Sequence, residues 1–360
     1  MSGIFGILGL ADSDNSYVST IGQSVVYDAV NALLAQYNDE LNKAKTVFVQ
    51  RTTDEFKFRY KLPGGGRLQE RGGQAPSGDV KRYGAWDVAV PLKDFGAGLG
   101  GDRVTLAYMT LQELNAHLDT ITIQDINTYR FELLRALFYS TQHTFVDPLK
   151  GSLTIEGLAN GDSVVYPPVL GSETEATDNH YLGSAYLASA ISDTNDPFVT
   201  IVDEIEEHFG AAQGGSNIVV FINNAQWAKT RALADVNEIS DTYLRMGVNA
   251  NIPTEIPANL PGTVRGRHNK GCWIVEYRAI PANYMLGIHL DAPKPLVERV
   301  DLVATGLPQG LNLVSQDEAY PLQGSQYCHR FGLAVCNRLN GVVMDMSNAD
   351  SDYDIPTAFA

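Results

Sequence analysis

Residues 203–208 read Asp-Glu-Ile-Glu-Glu-His, four carboxylates and an imidazole within six positions. Carboxylates paired with a histidine are the groups that general acid–base chemistry uses. The stretch has helical periodicity, however, and a solvated helix face accounts for it; glycoside hydrolysis would need a further carboxylate from elsewhere, to which nothing in the sequence points. Cys328-His329, Cys336, Cys272 and His268 are metal-ligating types. Their spacing matches no zinc pair, and neighbours in a strand face opposite ways, so they read as core or edge side chains. Ser184 in YLGSAYL lacks the second glycine of a nucleophile elbow. Gly64-Gly65-Gly66 and Gly72-Gly73 lack the following Lys-Ser/Thr of a phosphate loop, and neither flank is a strand opening into a helix. No catalytic constellation, metal site or cofactor site emerges, and the expectation is a protein that is not an enzyme.

The 360 residues, 44% hydrophobic and 19% charged, can bury a sizeable core and allow two or three domains. No apolar run approaches the roughly 20 residues of a bilayer span, and the start MSGIFGILGLADSD has no basic n-region. The expectation is a cytoplasmic chain with no membrane partner. Three cysteines are an odd number and read as free thiols. A formal charge of −16 disfavours a nucleic-acid binder, which needs concentrated Lys and Arg. The positive charge is uneven: of 26 Lys and Arg, Lys57, Arg59, Lys61, Arg67, Arg71, Lys81 and Arg82 gather close together. Two readings of that cluster stay open, a solvated loop and an arm steered onto an acidic neighbour.

The cluster lies in and around a hairpin. Phe56, Phe58, Tyr60 and Leu62 alternate with charged residues, and Trp86, Val88 and Val90 alternate with Asp87 and Ala89 before Pro91. The polar, glycine-rich connection is longer than a compact domain ordinarily keeps. A two-stranded ribbon is marginal in water, so its aromatic face needs cover, and a neighbouring molecule is the expected source. Ahead of it, residues 15–45 form an amphipathic helix on Val18, Ile21, Val25, Ala29, Leu33, Tyr37 and Leu41. A short helix is expected over Leu106–Leu118. A longer one starts at the capping signature Thr122 and Asp125 and runs to Asp147-Pro148. Leu153–Leu158 and Val164–Val169 read as strands around the turn Asn160-Gly161-Asp162. Asp196-Pro197 opens a helix that Gly210 stops, Ile218–Ile222 is a buried strand, and Trp227 lies on a short helix. After a loop over Asp241–Asn269, strands resume at WIVEYRAIP and YMLGIHL. Tyr327–Val335 and Val342–Met346 follow, and Ser347–Ala360 reads as a polar extended tail.

This order, with the phrases Gly271-Cys-Trp-Ile-Val-Glu-Tyr-Arg, Ile280-Pro281-Ala282, Pro295-Leu-Val-Glu-Arg and Phe331-Gly-Leu-Ala-Val beside Asn337-Arg338, resembles the major capsid proteins of tailed bacteriophages over residues 15–347. The resemblance implies an α+β chain with the Hong Kong 97-type capsid fold. Its parts would be an N-terminal arm with the amphipathic helix (1–50), an extended hairpin loop (51–100, with Phe56 to Val90 as the loop), a peripheral domain with the spine helix (101–195, helix from Thr122 to Thr144), an axial α/β domain (196–294) and return strands with the tail (295–360). It implies a structural protein that assembles as hexamers and pentamers into the icosahedral head of a virion, formed in the host cytoplasm around double-stranded DNA that it does not bind specifically. Implied partners are further copies of the chain, a separate scaffolding protein, a portal and a decoration protein. The expected subunit contacts are Val18, Val25 and Leu33 on the helix, whose stripe would dock on an assembled neighbour or on the spine of its own subunit, and Phe56, Lys57, Phe58, Arg59, Tyr60, Lys61, Arg67, Arg71, Lys81, Arg82 and Trp86 on the hairpin. Two other readings stay open: an encapsulin-type nanocompartment shell, which shares the fold, and an α/β hydrolytic enzyme.

Overall fold

The computed structural model describes residues 17–21, 23–61, 85–99, 108–161, 163–169, 172, 176–179, 181–209, 217–238, 260–314 and 325–360. After a helical turn at Val18–Ile21, helix α1 (Gln23–Lys45) leads into strand β1 (Val49–Thr53). The hairpin follows as β2 (Lys57–Lys61) and β3 (Ala85–Ala89), antiparallel with Tyr60 opposite Trp86 and Phe58 opposite Val88. The two alternating runs therefore pair with each other, as the sequence predicts. Next come β4 (Lys93–Leu99), helix α2 (Leu111–Phe138), and a second hairpin, β5 (His143–Asp147) with β6 (Gly151–Ile155). Three short strands follow: β7 (Val165–Tyr166), β8 (Ala176–Thr177) and β9 (Tyr181–Gly183).

The remainder builds a layered α/β unit. Helix α3 (Pro197–Phe209) starts where Asp196 accepts a hydrogen bond from the Phe198 amide. Strand β10 (Ile218–Ile222), helix α4 (Asn224–Thr230), β11 (Val236–Glu238), β12 (Thr263–His268), β13 (Cys272–Glu276) and β14 (Tyr284–His289) follow. The segment Asp291–Pro295 then crosses to β15 (Leu296–Arg299), β16 (Leu311–Val314) and the long β17 (Ser325–Val335), and β18 (Val342–Asp345) returns. A seven-stranded sheet runs β11-β12-β13-β10-β14-β18-β9. In β10, Ile218, Val220 and Ile222 face one cluster with Phe198, Ile201 and Ile205 of α3, while Val219 and Phe221 face another with Leu133, Leu134 and Leu137 of α2. A strand covered on both faces reads as a continuous apolar run. The second sheet runs β1-β15-β17-β16, and β4 pairs β17 alongside β16.

Helix α2 corrects the expected spine. It begins at Thr110, whose hydroxyl accepts from the Glu113 amide while Glu113 returns a bond to the Thr110 amide. Thr110-x-x-Glu113 is the capping box. The second copy of that signature, Thr122 and Asp125, is mid-helix: Thr122 donates to the Asp119 carbonyl, and Asp125 serves a distant contact. The expected short helix and the spine are thus one helix of 28 residues, about 42 Å long. It ends at Phe138, because His143–Asp147 alternates as a strand and pairs with Gly151–Ile155. Leu153–Leu158 and Val164–Val169 do not pair with each other. Within the expected loop over Asp241–Asn269, Thr263–His268 is strand β12; the rest up to residue 259 lies outside the described residues.

The tail is not merely extended. Phe359 is buried against Phe131 and Phe138, and the Tyr353 hydroxyl donates to the Phe138 carbonyl at 2.7 Å. A polar seam separates the clusters at the two ends of α2. There Asp125 accepts from the Tyr37 hydroxyl at 2.6 Å and pairs with His329 Nδ1 at 2.7 Å. Lys45 meets Glu298 at 2.5 Å, and Asn38 bonds both the amide and the carbonyl of Leu311, at 2.9 and 3.0 Å. These contacts lock α1 onto the spine and the sheet of its own chain. Among the described residues no helix is long and apolar enough to cross a membrane.

Candidate assembly interface

Most groups with catalytic or ligating chemistry are engaged otherwise, although Asp178, Glu207 and His208 bring their ligand atoms within 4.8 Å of one another. The Ser184 hydroxyl donates to the Tyr186 carbonyl. Cys328 Sγ faces Asp94 at 2.9 Å while its neighbour His329 points the other way to Asp125, as alternation along β17 requires. All three cysteines are free, and burial pushes each thiol up to about 12. His268 Nδ1 accepts from the Lys270 amide, so its Nε2–H donates to Asp196 at 2.9 Å and neither nitrogen keeps a lone pair for a metal.

The acidic stretch on α3 differs from a simple solvated face. Asp203 is exposed and pairs with Lys270 at 2.7 Å, but Glu204 is half-buried beside Glu207 and Asp178. Burial first, and then those two carboxylates, push Glu204 up to about 7. Its folded value lies above its unfolded one. The folded state therefore holds a proton that the unfolded chain has lost between about pH 4.5 and 7, and stability falls as pH rises through that window. Glu204→Gln removes the cost. It should stabilise the chain at pH 8 by on the order of 1 kcal/mol, after allowing for solvent screening of a half-buried group, and change little at pH 5. Thermal melts of both proteins at the two pH values check this; equal effects at both would contradict it.

On the hairpin, the aromatic face is partly covered by its own chain, so a neighbour is not needed for all of that cover. Tyr60 packs on Trp86 with ring centroids 5.4 Å apart, Trp86 packs on Tyr166, and Trp86 Nε1 donates to the Cys336 carbonyl at 2.9 Å. The Arg51 guanidinium lies 4.4 Å over Phe58, and the Lys150 ammonium 4.9 Å over Phe56. These contacts root the base of the arm in its own chain. The opposite face, Lys57, Arg59 and Lys61, is exposed, with Asp87 3.3 Å from Lys57 as a cross-strand partner. Arg67, Arg71, Lys81 and Arg82 lie outside the described residues.

Of the two dockings open to the N-terminal helix, the structure shows the one on the spine of its own chain. Val18 and Leu33 are buried in their own chain against Leu111, Leu114 and Leu118 of α2, whereas Val25 is 47% exposed. The buried stripe is Val26, Ala29, Val30, Leu33, Leu34 and Tyr37. A strict four-residue step drifts by about 40° each time on a helix of 3.6 residues per turn, which carries Val25 off the face that the later residues share. Of the three helix positions expected at a subunit contact, only Val25 is on the surface.

No family model matches the sequence, and no curated relative matches it. Among solved structures, a chain from Mycobacterium phage Patience superposes with a TM-score of 0.65 over 97% of this chain and 94% of its own, at 18% identity. The chain has the Hong Kong 97-type fold. Looser superpositions are found with the capsid structure of cyanophage P-SCSP1u (TM-score 0.46, 9% identity, 84% of this chain and 87% of that one) and the virus-like particle of Pyrococcus furiosus (TM-score 0.42, 12% identity, 89% and 99%). In this fold the described base of the hairpin, β2 and β3, lies between β1 and β4 in chain order, with its charged face exposed and its aromatic face packed on its own chain.

Proposed function

We propose that the chain is the major capsid protein of a tailed bacteriophage, closing as hexamers and pentamers into an icosahedral head around double-stranded DNA. Its partners would be further copies of itself, a scaffolding protein, a portal and a decoration protein, and its location the virion capsid after assembly in the host cytoplasm. The observation that carries this reading is the fold, matched over nearly the whole chain in a phage structure. A rooted hairpin with an outward row of cations supports it, because closed shells repeat heterologous contacts that a projecting arm can make. On this reading the contacts are Val25, Lys57, Arg59 and Lys61 with Arg67, Arg71, Lys81 and Arg82, set against acidic residues of the next copy.

Each exposed pair contributes only about 0 to 1 kcal/mol, but repetition over a shell multiplies it. Salt screens such pairs. Shell formation by purified subunits, followed by light scattering, is expected to slow or fail as salt approaches about 1 M. The net charge of −16 gives duplex DNA nothing to adhere to, so free subunits should not shift it in a gel at physiological salt. Assembly indifferent to salt, or a DNA shift, would contradict the mechanism. Electron microscopy tests the function itself: large icosahedral shells support it, small cargo-filled shells would indicate a nanocompartment, and dispersed subunits would refute both.

A further inference from the structure

A group of ligating side chains converges near the C-terminal end of helix α3. Glu207 and His208 lie three and four residues after Glu204 and so share one helix face with it. Asp178, directly after β8, approaches that face from outside the helix. His208 Nε2 lies 2.8 Å from Asp178 Oδ2 and 3.4 Å from Glu207 Oε1, and one ligand atom from each of the three residues falls within 4.8 Å of the other two. Two features separate this group from an exposed acidic patch. The His208 side chain is only 6% exposed, and outside the group it has no hydrogen-bond partner among the described residues. Its surroundings are also one-sided in charge: Glu204, half-buried, has Glu207, Asp178 and His208 as its charged neighbours, with no Lys or Arg. Charges withdrawn from water are paired or coordinate metals, and carboxylates gathered in this way call for a cation.

Tautomer decides between this group and the other one of similar composition, Asp196, Asp235 and His268. His268 Nδ1 accepts from the Lys270 amide, which fixes the proton on Nε2, whereas no hydrogen bond fixes His208 Nδ1 among the described residues. The His208 proton can therefore sit on Nδ1, leaving the Nε2 lone pair to face the carboxylates. An imidazole nitrogen with carboxylate oxygens suits a divalent transition metal, zinc above all, where calcium and magnesium take oxygen alone. Zinc bonds of about 2.0–2.2 Å set tetrahedral ligands about 3.3–3.5 Å apart. The His208–Glu207 separation meets this already, and the His208–Asp178 contact would open by about half an ångström. We propose that Asp178, Glu207 and His208 bind one zinc ion, with water in the fourth position and Glu204 beside it. The ion ties β8 to α3. The β7–β8 ribbon pairs only Val165–Tyr166 with Ala176–Thr177, and so short a ribbon is marginal without such a tie. The site lies within one subunit and does not depend on the shell reading.

The test uses the full-length chain without a histidine tag, stripped with EDTA and dialysed free of it. Titrated with ZnCl2 in a calorimeter, the parent should take up one equivalent saturably, and excess zinc should raise its melting temperature, because an ion that binds only the folded state stabilises it. Glu207→Gln, Asp178→Asn and His208→Gln should each weaken binding by about a hundredfold or more. Glu207 is the variant least able to disturb folding, since its side chain is 37% exposed. Asp235→Asn, in the other group, should bind zinc as the parent does. The same excess of CaCl2 or MgCl2 should leave the melt unchanged. Failure of the parent to take up one equivalent, equal uptake by Glu207→Gln, loss of uptake in Asp235→Asn, or an equal melting shift with calcium would each overturn the site, whether or not the subunits build shells.

Discussion

Deleting residues 67–82 and joining the remaining hairpin through Asn-Gly is expected to leave a folded subunit that no longer builds shells. The base of the arm does not depend on the deleted part: Phe56, Phe58, Tyr60 and Trp86 pack against side chains of their own chain, and the strand register is set by Lys57–Lys61 against Ala85–Ala89. Asn-Gly supplies the positive-φ pair that a tight hairpin needs. The melting temperature of the free subunit should therefore stay close to that of the parent. Assembly is another matter, because Arg67, Arg71, Lys81 and Arg82 are four of the seven cations gathered in and around the hairpin. Losing them from every contact of a shell compounds through multivalency, so shell yield should fall by orders of magnitude. Parallel melting curves and microscopy give the answer, and an unchanged yield of closed particles would remove the arm from the account.

Asp125→Ala is the substitution expected to cost most in stability. The carboxylate is buried between clusters, where it accepts from Tyr37 of α1 and pairs with His329 of β17. Burial, and then the Asp125 charge, raise the Tyr37 hydroxyl above its ordinary value. Removing the acceptor strands two buried donors, and breaking a buried pair in this way costs about 3–5 kcal/mol. Tyr37→Phe removes one donor and its need together, and should cost about 1 kcal/mol. Urea denaturation of the three proteins separates these outcomes; a loss below about 1 kcal/mol for Asp125→Ala would mean that the seam does not hold α1 in place.

The parts of the fold legible in the sequence are those where one local pattern decides. Alternation with charged residues marks β2 and β3, an Asp-Pro start marks α3, and the run Ile218–Ile222 marks a strand buried on both faces. The limits of α2 were not legible because two capping signatures compete, and only long-range partners for Asp125 decide that Thr110, not Thr122, starts the helix. Phe359 looks like a stray aromatic in a polar tail until the rings of Phe131 and Phe138 are brought beneath it. Hydrophobicity was a poor guide to the candidate contacts for the same reason. Val18, Leu33 and Trp86 are conspicuous in sequence, and each is engaged inside its own chain.

Cryo-electron microscopy of the purified full-length chain, under the low-salt conditions that favour ionic contacts, tests the central claim most directly. The account predicts closed icosahedral particles in which residues 62–84 of each subunit lie on an adjacent copy. Particles that do not close, or shells in which that segment folds back on its own subunit, would contradict it.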